Sequence, residues 1–272
     1  MDLLLPLRLL KRAIEKRLPY SGLLFAFVRR DINARYKGTV MGVLWSVINP
    51  MIMFSVYLLV FGFFLKVRMP NSASMWDFAL YFSIGFFPWV FFNAAVVRAA
   101  TSIVENRNYI KKVAFPAEIF PCAVVLSEAV SLLISIGIVL VFSLLLKGFS
   151  VYLFLLPLIL VLEVLFALAC AFFVSTATVF FRDIPQLLNS LFMVWFWLTP
   201  IAYTVDLIPK QLKIFVYLNP MHHILALYHS LLLNGTMLNM KVLAFFIAFT
   251  AVLFFFGVLL FRKAKGHFSD LL

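Results

Sequence analysis

Long apolar segments are the feature that most constrains this chain. Each holds about 20 or more residues, the length that a helix needs to cross roughly 30 Å of hydrocarbon. Six segments qualify, at residues 40–65, 78–98, 118–146, 149–181, 184–205 and 242–261. With 65% hydrophobic and only 12% charged residues, the chain has too little polar surface for a soluble globule. The sequence therefore predicts one all-α integral membrane domain, residues 1–272, with six transmembrane helices.

The region 207–240 has a different pattern. It contains two short apolar pieces, Ile214–Leu218 and Ile224–Leu233, and neither is long enough to span a bilayer. Irregular backbone at membrane depth is tolerated where protein shields it or where it faces a wet cavity. We predict short re-entrant or interfacial helices here, forming a gate region on the extracytoplasmic side.

The basic residues predict the orientation. Seventeen Lys and Arg residues lie on the side of the membrane that holds both termini, against six on the opposite side. Cytoplasmic loops carry such an excess, so both termini of this multi-pass membrane protein are predicted to be cytoplasmic. This distribution explains the net charge of +12 without a nucleic acid partner.

Residues 1–39 form a cationic segment ahead of the first span. Within it, residues 3–18 and Gly22–Tyr36 mix apolar and basic residues at helical spacing. Basic amphipathic helices of this kind lie in the membrane interface. For residues 3–18, a simple topology anchor remains an equal alternative.

Motifs for catalysis or metal binding do not occur in the sequence. There is no glycine-rich loop ending in Gly-Lys-Ser/Thr and no His-Glu-x-x-His. The adjacent His222 and His223 cannot chelate a metal from one helix face, because ligands there need a spacing of three or four residues. We therefore predict no catalytic residues, no metal and no cofactor bound by this chain, and a protein that is not an enzyme by itself.

Two acidic residues lie within the predicted spans, Glu128 and Glu163. A charge there costs roughly 2.5–3.5 kcal/mol on insertion scales, so such groups often mark ion pathways. An ion-coupled secondary transporter that uses these two residues is one alternative. The other is that both are structural carboxyl groups bonded to neighbouring helices.

Four stretches resemble one known family in the same order along the chain. They are the sequences at Arg29–Gly62, Glu105–Pro121, Phe181–Tyr203 and Leu218–Leu232. Together they resemble the permease subunits of type-2 ABC exporters, in the branch that exports polysaccharides such as O-antigen, teichoic acid and capsule-like chains. One departure is His229, where members of that branch often carry Arg.

The resemblance implies a machine with several partners. It implies a homodimer of this chain and two cytoplasmic ABC ATPase subunits, which bind the ATP and Mg²⁺. Its cargo would be a lipid-linked, O-antigen-like glycan, moved from the cytoplasmic to the outer face of the inner membrane; an exporter of another lipid or a drug is the alternative. The family also implies that Gly22–Tyr36 and the loop after the second span meet the ATPases. The predicted coupling residues in that loop are Glu105, Arg107, Asn108, Tyr109, Lys111 and Lys112.

Aromatic residues suit a passage for sugars, because their rings offer flat faces to C–H surfaces while Trp and Tyr add a hydrogen-bonding edge. The resemblance places the first and fifth spans at the channel. The predicted lining residues are Trp45, Phe54, Tyr57, Phe61, Phe192, Trp195 and Trp197. Contact with lipid is the alternative for most aromatic residues of the chain.

A lateral gate is predicted at the start of the first span. Pro50, after Asn49, removes one helical hydrogen bond and predicts a kink there. Arginine and lysine side chains at headgroup level can bind a phosphate of the lipid carrier or simply attract anionic lipid. The predicted gate residues are Arg29, Arg30, Arg35, Lys37, Asn49 and Pro50.

An outer gate is predicted in the region 207–240, where polar side chains could hydrogen-bond passing sugars. Its predicted residues are Tyr217, His222, His223, Tyr228 and His229.

Overall fold

The structure is a computed structural model that describes residues 19–67, 74–112 and 115–272. The predicted interfacial helix at residues 3–18 lies outside these residues. In the described ranges the regular structure is helical throughout. The α-helices are α1 (Pro19–Tyr36), α2 (Trp45–Tyr57), α3 (Met75–Glu105), α4 (Arg107–Lys112), α5 (Ile119–Lys147), α6 (Leu156–Phe180), α7 (Ile184–Leu198), α8 (Lys213–Tyr217), α9 (Pro220–Leu232), α10 (Met240–Ala264) and α11 (Phe268–Leu271).

Five helical segments of the described chain are long and apolar enough to cross a membrane. They are Trp45–Phe64, Met75–Glu105, Ile119–Lys147, Val151–Phe180 and Met240–His267. These confirm five of the six predicted spans and the all-α membrane class.

The fifth predicted span is shorter than expected. Helix α7 ends at Leu198 after 15 residues, whereas the sequence predicted a span as far as residue 205. Thr199 is extended, with φ −98° and ψ 131°, because the residue before a proline is disfavoured in the helical region, and Pro200 follows it.

Helix α3 forms the core of the bundle. In its most apolar 18-residue window, 78% of the residues are buried, against 6% in the segment Trp45–Phe64. It packs against α5, α6, α7 and α9. Small residues permit this close packing: Ala95, Ala99 and Ala100 are fully buried, and a Cβ at Gly85 would lie 3.3 Å from Ile201.

Helix α2 is peripheral. It continues through Pro50 to Tyr57, and the chain then adopts a wider π-helical turn pattern over Leu58–Phe64. The change in helical register thus follows Pro50 by eight residues, a position that the proline did not predict. A π-helical segment often marks a functional site within a helix.

The region 207–240 contains the two short helices that the sequence predicted. They are α8 and α9, joined by Leu218 and Asn219. The Asn219 side chain caps α9 by accepting a hydrogen bond from the backbone N–H of Met221 at 3.0 Å, and Pro220 occupies the first helical turn, where its missing N–H costs nothing.

Candidate functional site

A cluster of charged residues joins α1 to the bundle. We call Asp31, Arg35, Arg98, Ser127 and Glu128 the inner cluster. Arg98 bonds Glu128 at 2.7 Å and Asp31 at 2.8 Å, while Arg35 bonds Glu128 at 3.0 Å and Asp31 at 3.1 Å. Ser127 donates a further hydrogen bond to Asp31. The cluster therefore connects α1, α3 and α5 through two carboxylates shared between two guanidinium groups.

The electrostatics of this cluster favour the ionised form of Asp31. Burial of the carboxyl raises its pKa, but the hydrogen bond from Ser127 and the charges of Arg98 and Arg35 outweigh that effect, so the pKa lies below its ordinary value. Asp31 is therefore ionised at neutral pH and can pair with both guanidinium groups.

A second contact joins α1 to the loop after α3. Arg30 donates to the Tyr109 hydroxyl at 3.0 Å and to Asn106 Oδ1 at 2.7 Å. Its guanidinium carbon also lies 4.1 Å from the centre of the Phe27 ring, and Phe27 packs on Phe115 with ring centres 5.4 Å apart. The two segments predicted to meet the ATPases therefore contact each other and form one surface.

The predicted coupling residues lie on this surface. Among them Tyr109 makes the contact with Arg30, while the others with described side chains are exposed, namely Glu105, Arg107, Asn108 and Lys111. The side chain of Lys112 lies outside the described part of the chain. Sequence reasoning missed Asn106, because its partner Arg30 lies 76 residues away along the chain.

The predicted lateral-gate cations separate into two pairs. Arg30 and Arg35 bond protein partners, and their assignment to a lipid headgroup stays a prediction. Arg29 and Lys37 are exposed, and together with Arg30 they line an open groove along α1. The helical rotation of about 100° per residue separates the neighbouring side chains of Arg29 and Arg30, and only Arg30 reaches Asn106 and Tyr109.

A small cavity collects the remaining gate residues. It has a volume of about 180 Å³ and lies between α2, α3 and α5. Trp45, Asn49 and Pro50 line one wall, and Arg35 and Glu128 of the inner cluster line another. The structure therefore brings the start of α2 next to the inner cluster, a proximity that the sequence did not predict.

The predicted channel aromatics mostly support helix packing. Phe54 stacks on Phe82 with ring centres 5.5 Å apart, Tyr57 contacts Phe196 at 5.8 Å, and the ring of Phe61 lies 6.3 Å from that of Trp197. These contacts seat α2 on α3 and α7. They explain how α2 stays attached to the bundle although few of its residues are buried.

Two of these aromatics mark the extremes of exposure. Phe192 is 2% exposed and packs against Trp89 and Phe92, so in this conformation it faces the protomer core and is corrected from a lining residue to a packing residue. Trp197 is 45% exposed. Trp45 and Trp195 lie between these extremes.

The exposed surface of α2 and α7 is largely apolar. On α2 and the π-helical segment after it, this surface presents Ile52, Met53, Val56 and Leu59. On α7 it presents Leu187, Leu191, Val194 and Leu198. Such a surface suits lipid or another apolar protein surface.

Neutral polar groups hold the opposite side of the bundle together. We call Tyr81, Trp195, Thr199, Tyr203, Asn219 and His229 the outer network. The Tyr81 hydroxyl donates to the backbone carbonyls of Pro200 at 3.1 Å and Tyr203 at 2.9 Å. The Asn219 amide accepts from Trp195 Nε1 at 2.9 Å and donates to Thr199 Oγ1 at 2.8 Å. These bonds satisfy the irregular backbone between α7 and α9.

The predicted outer-gate residues lie in different environments. His229 donates to the carbonyl oxygen of Tyr81 at 3.1 Å, and the two rings stack 4.4 Å apart. His223 donates to the carbonyl of the exposed Tyr217 at 2.7 Å. His222 and His229 line a cavity of about 640 Å³.

Tyr228 does not face that cavity. It is fully buried and donates to Glu163 at 2.6 Å, so its assignment to the outer gate is corrected to a core contact. In the sequence, Tyr228 resembles the other candidate gate residues of this region. Only its bond to Glu163 of α6 distinguishes it from them.

The two acidic residues of the spans have protein partners. Glu128 is 5% exposed and pairs with both arginines of the inner cluster. Glu163 is completely buried and accepts from Tyr228. These contacts favour the structural alternative for both carboxyl groups. In the described ranges, no group of three or more His, Cys, Asp or Glu side chains could hold a metal ion.

Comparison with known proteins agrees with this architecture. The family model "ABC-2 type transporter" matches residues 22–233. An O-antigen export system permease protein of Klebsiella pneumoniae is 29% identical over 92% of this chain and 95% of its own length, and one of Myxococcus xanthus is 26% identical over 95% and 98%. A polysialic acid transport protein of Escherichia coli is 24% identical over 88% of this chain and 92% of its own.

Proposed function

The chain belongs to the ABC-2 type transporter family, and from this membership we propose that it is the membrane subunit of an ATP-driven polysaccharide exporter. The observation that carries the proposal is its similarity, over at least 88% of its length, to relatives named as O-antigen export permeases and polysialic acid transport proteins. The cargo would be a lipid-linked polysaccharide, moved outward across a bacterial inner membrane.

The energy would come from two separate ATPase subunits, which would bind the ATP and Mg²⁺. Their docking surface would be the exposed residues of α4 together with α1, because Arg30 joins these two helices into one unit. The inner cluster then links that unit to α3 and α5. A displacement of α1 and α4 by the ATPases would therefore reach the long helices through charge-assisted hydrogen bonds, which are stronger than neutral ones.

A second copy of the chain would complete the passage. The exposed apolar surfaces of α2 and α7 are the parts of the bundle that would meet or face the partner copy. The π-helical segment and the few buried residues of α2 suit a helix that changes position between closed and open states. Trp45, Trp197 and the half-buried aromatics beside them would then contact the sugar chain.

The lipid end of the substrate would bind the face of α1 that carries Arg29 and Lys37. Arg29 and Lys37 are exposed at the membrane interface and can bind phosphate oxygens. Export of another lipid or a drug remains the alternative within the family. The ion-coupled alternative loses support because Glu128 is held by two arginines.

A cellular test separates these functions. Cells that lack this chain should accumulate lipid-linked polysaccharide on the cytoplasmic side and lose it from the surface, and expression of the chain should restore it. Restoration should require an intact ATP site in the partner ATPase. Export that survives inactivation of the ATPase and stops when the proton gradient collapses would contradict the proposal.

A further inference from the structure

An apolar groove with a basic rim lies on the side of the bundle where the inner cluster is found. It is bounded by α1, α5, α6 and α10 and has a volume of about 700 Å³. Its wall is formed by Leu168 and Phe172 of α6 and by Phe254 and Val258 of α10. None of these residues belongs to the predicted channel, gates or coupling surface.

The length of the groove matches one leaflet of a bilayer. On α10 and the turn after it, the lining runs from Phe254 to Lys265, which is about 16 Å at 1.5 Å per residue. Half of a hydrocarbon core of roughly 30 Å is about 15 Å. A single acyl chain that stands in its own leaflet would therefore follow the groove from rim to end.

The rim carries a net positive charge. Lys265 bonds both carboxylate oxygens of Glu118, at 3.0 Å and 2.8 Å, so these two charges offset each other. Arg262 is exposed beside them and lines the groove. A guanidinium group can bind a phosphate through two parallel hydrogen bonds, and basic pockets between transmembrane helices on the cytoplasmic side bind anionic headgroups.

We propose that this groove binds one anionic phospholipid of the cytoplasmic leaflet, with an acyl chain along the apolar wall and the phosphate at Arg262. The site is separate from the transport passage and does not depend on the proposed function. It would link α1, which carries the docking surface, to α6 and α10 through a lipid.

Lipid selectivity tests the charged rim. The full-length protein is reconstituted in vesicles of equal parts phosphatidylglycerol and phosphatidylcholine, re-extracted in mild detergent, and its bound lipids are measured by mass spectrometry. The wild type should retain phosphatidylglycerol in excess. Arg262→Gln should lower the ratio of the two lipids roughly fivefold, the effect of about one cationic contact. Lys263→Gln is the matched control, since Lys263 is the exposed neighbour that does not line the groove, and its ratio should stay at the wild-type value.

A second pair of variants tests the apolar wall. Val258→Trp places an indole in the groove and should halve the phosphatidylglycerol retained per protein. Val252→Trp, at an exposed position of the same helix, should leave it unchanged. Equal losses within either pair would overturn the proposal, because the lipid would then bind the surface at large. Displacement of phosphatidylglycerol by a tenth of its amount of a polyisoprenyl phosphate would also overturn it, by assigning the groove to a carrier lipid.

Discussion

The inner cluster and the outer network both attach a short helix to α3, but the first does so with charges and the second with neutral groups. The inner cluster holds α1 through carboxylates and guanidinium groups. The outer network holds α9 and the turn after α7 through amide, hydroxyl and imidazole groups that mostly bond backbone carbonyls or one another. The hydrogen bonds of the inner cluster therefore pair charged side chains, whereas most of those in the outer network satisfy backbone carbonyls or neutral side chains.

This difference follows from the backbone at each site. Helix α1 is regular, so its backbone is satisfied internally and its side chains are available for ion pairs. Residues 199–204 are not helical, so their carbonyl groups need donors from other helices at a depth where water is scarce. The comparison indicates that the charged attachment can transmit a displacement as a unit, while the neutral attachment fixes an irregular turn. Four predictions test this distinction, from the largest expected effect to the smallest.

The largest effect is expected from Glu128→Gln. The change leaves Arg35 and Arg98 of the inner cluster sharing one carboxylate, and loss of one partner from a buried ion pair costs roughly 3–5 kcal/mol. We expect a destabilisation of about 3 kcal/mol, since Arg98 is partly exposed, measured by denaturant unfolding in detergent. Glu105→Gln, at an exposed carboxylate, is the control and should change the stability by less than about 0.5 kcal/mol. Equal stability of the two variants would show that the cluster does not hold α1.

Asn219→Ala should come next and should act on the outer network alone. It removes the cap of α9 and leaves the partly buried Trp195 N–H without its acceptor, for a cost of about 2 kcal/mol. Thermal unfolding measures the loss, and Asn234→Ala, at a position outside this network, is the control. The comparison predicts that added salt leaves the Asn219→Ala effect unchanged, because no ion pair is involved. A strong salt dependence would contradict the neutral character of this attachment.

Arg30→Ala should affect transport more than stability. The lost contacts are exposed, so the stability should fall by no more than about 1 kcal/mol. Export should fall at least severalfold, because α1 and α4 would no longer move as one unit. Lys263→Ala, at an exposed cation outside the proposed gate and coupling residues, keeps both contacts and controls for the loss of a positive charge. Surface polysaccharide and membrane protein level are measured together; equal export in the two variants would remove Arg30 from coupling.

The smallest effect is expected from a change of pH near neutrality, which should hardly alter the stability that Asp31 contributes. Its pKa is lowered in the folded protein, so its contribution to stability is present above the ordinary value of 3.8 and is lost as the pH falls through the lower, folded value. The stability difference between wild type and Asp31→Asn should therefore be constant from pH 5 to 8 and shrink only under strongly acid conditions. Melting curves across that range measure it. A difference that already changes between pH 5 and 8 would show that another group titrates in the cluster.

The sequence supplied the architecture and part of the site. Uninterrupted apolar length identified five spans, whereas α9 begins at Pro220, four residues before the predicted piece at Ile224. The α7 boundary was wrong by seven residues because hydrophobicity continues past Leu198 while the backbone turns at Thr199. Glu128 and Glu163 were recognised as acids that need partners, but their partners lie 30 and 65 residues away along the chain.

The amino-acid sequence by itself determined that this chain is a helical membrane protein, which family it resembles, and which two segments form its candidate coupling surface, because apolar length and local motifs are properties of neighbouring residues. Only the tertiary structure decided which basic residue bonds which protein partner. Arg29 and Arg30 are identical and adjacent, and both are exposed on the groove of α1, yet only Arg30 bonds Asn106 and Tyr109. That choice depends on how α1 rotates when Phe27 packs against the bundle, and a long-range packing contact leaves no trace in the local pattern.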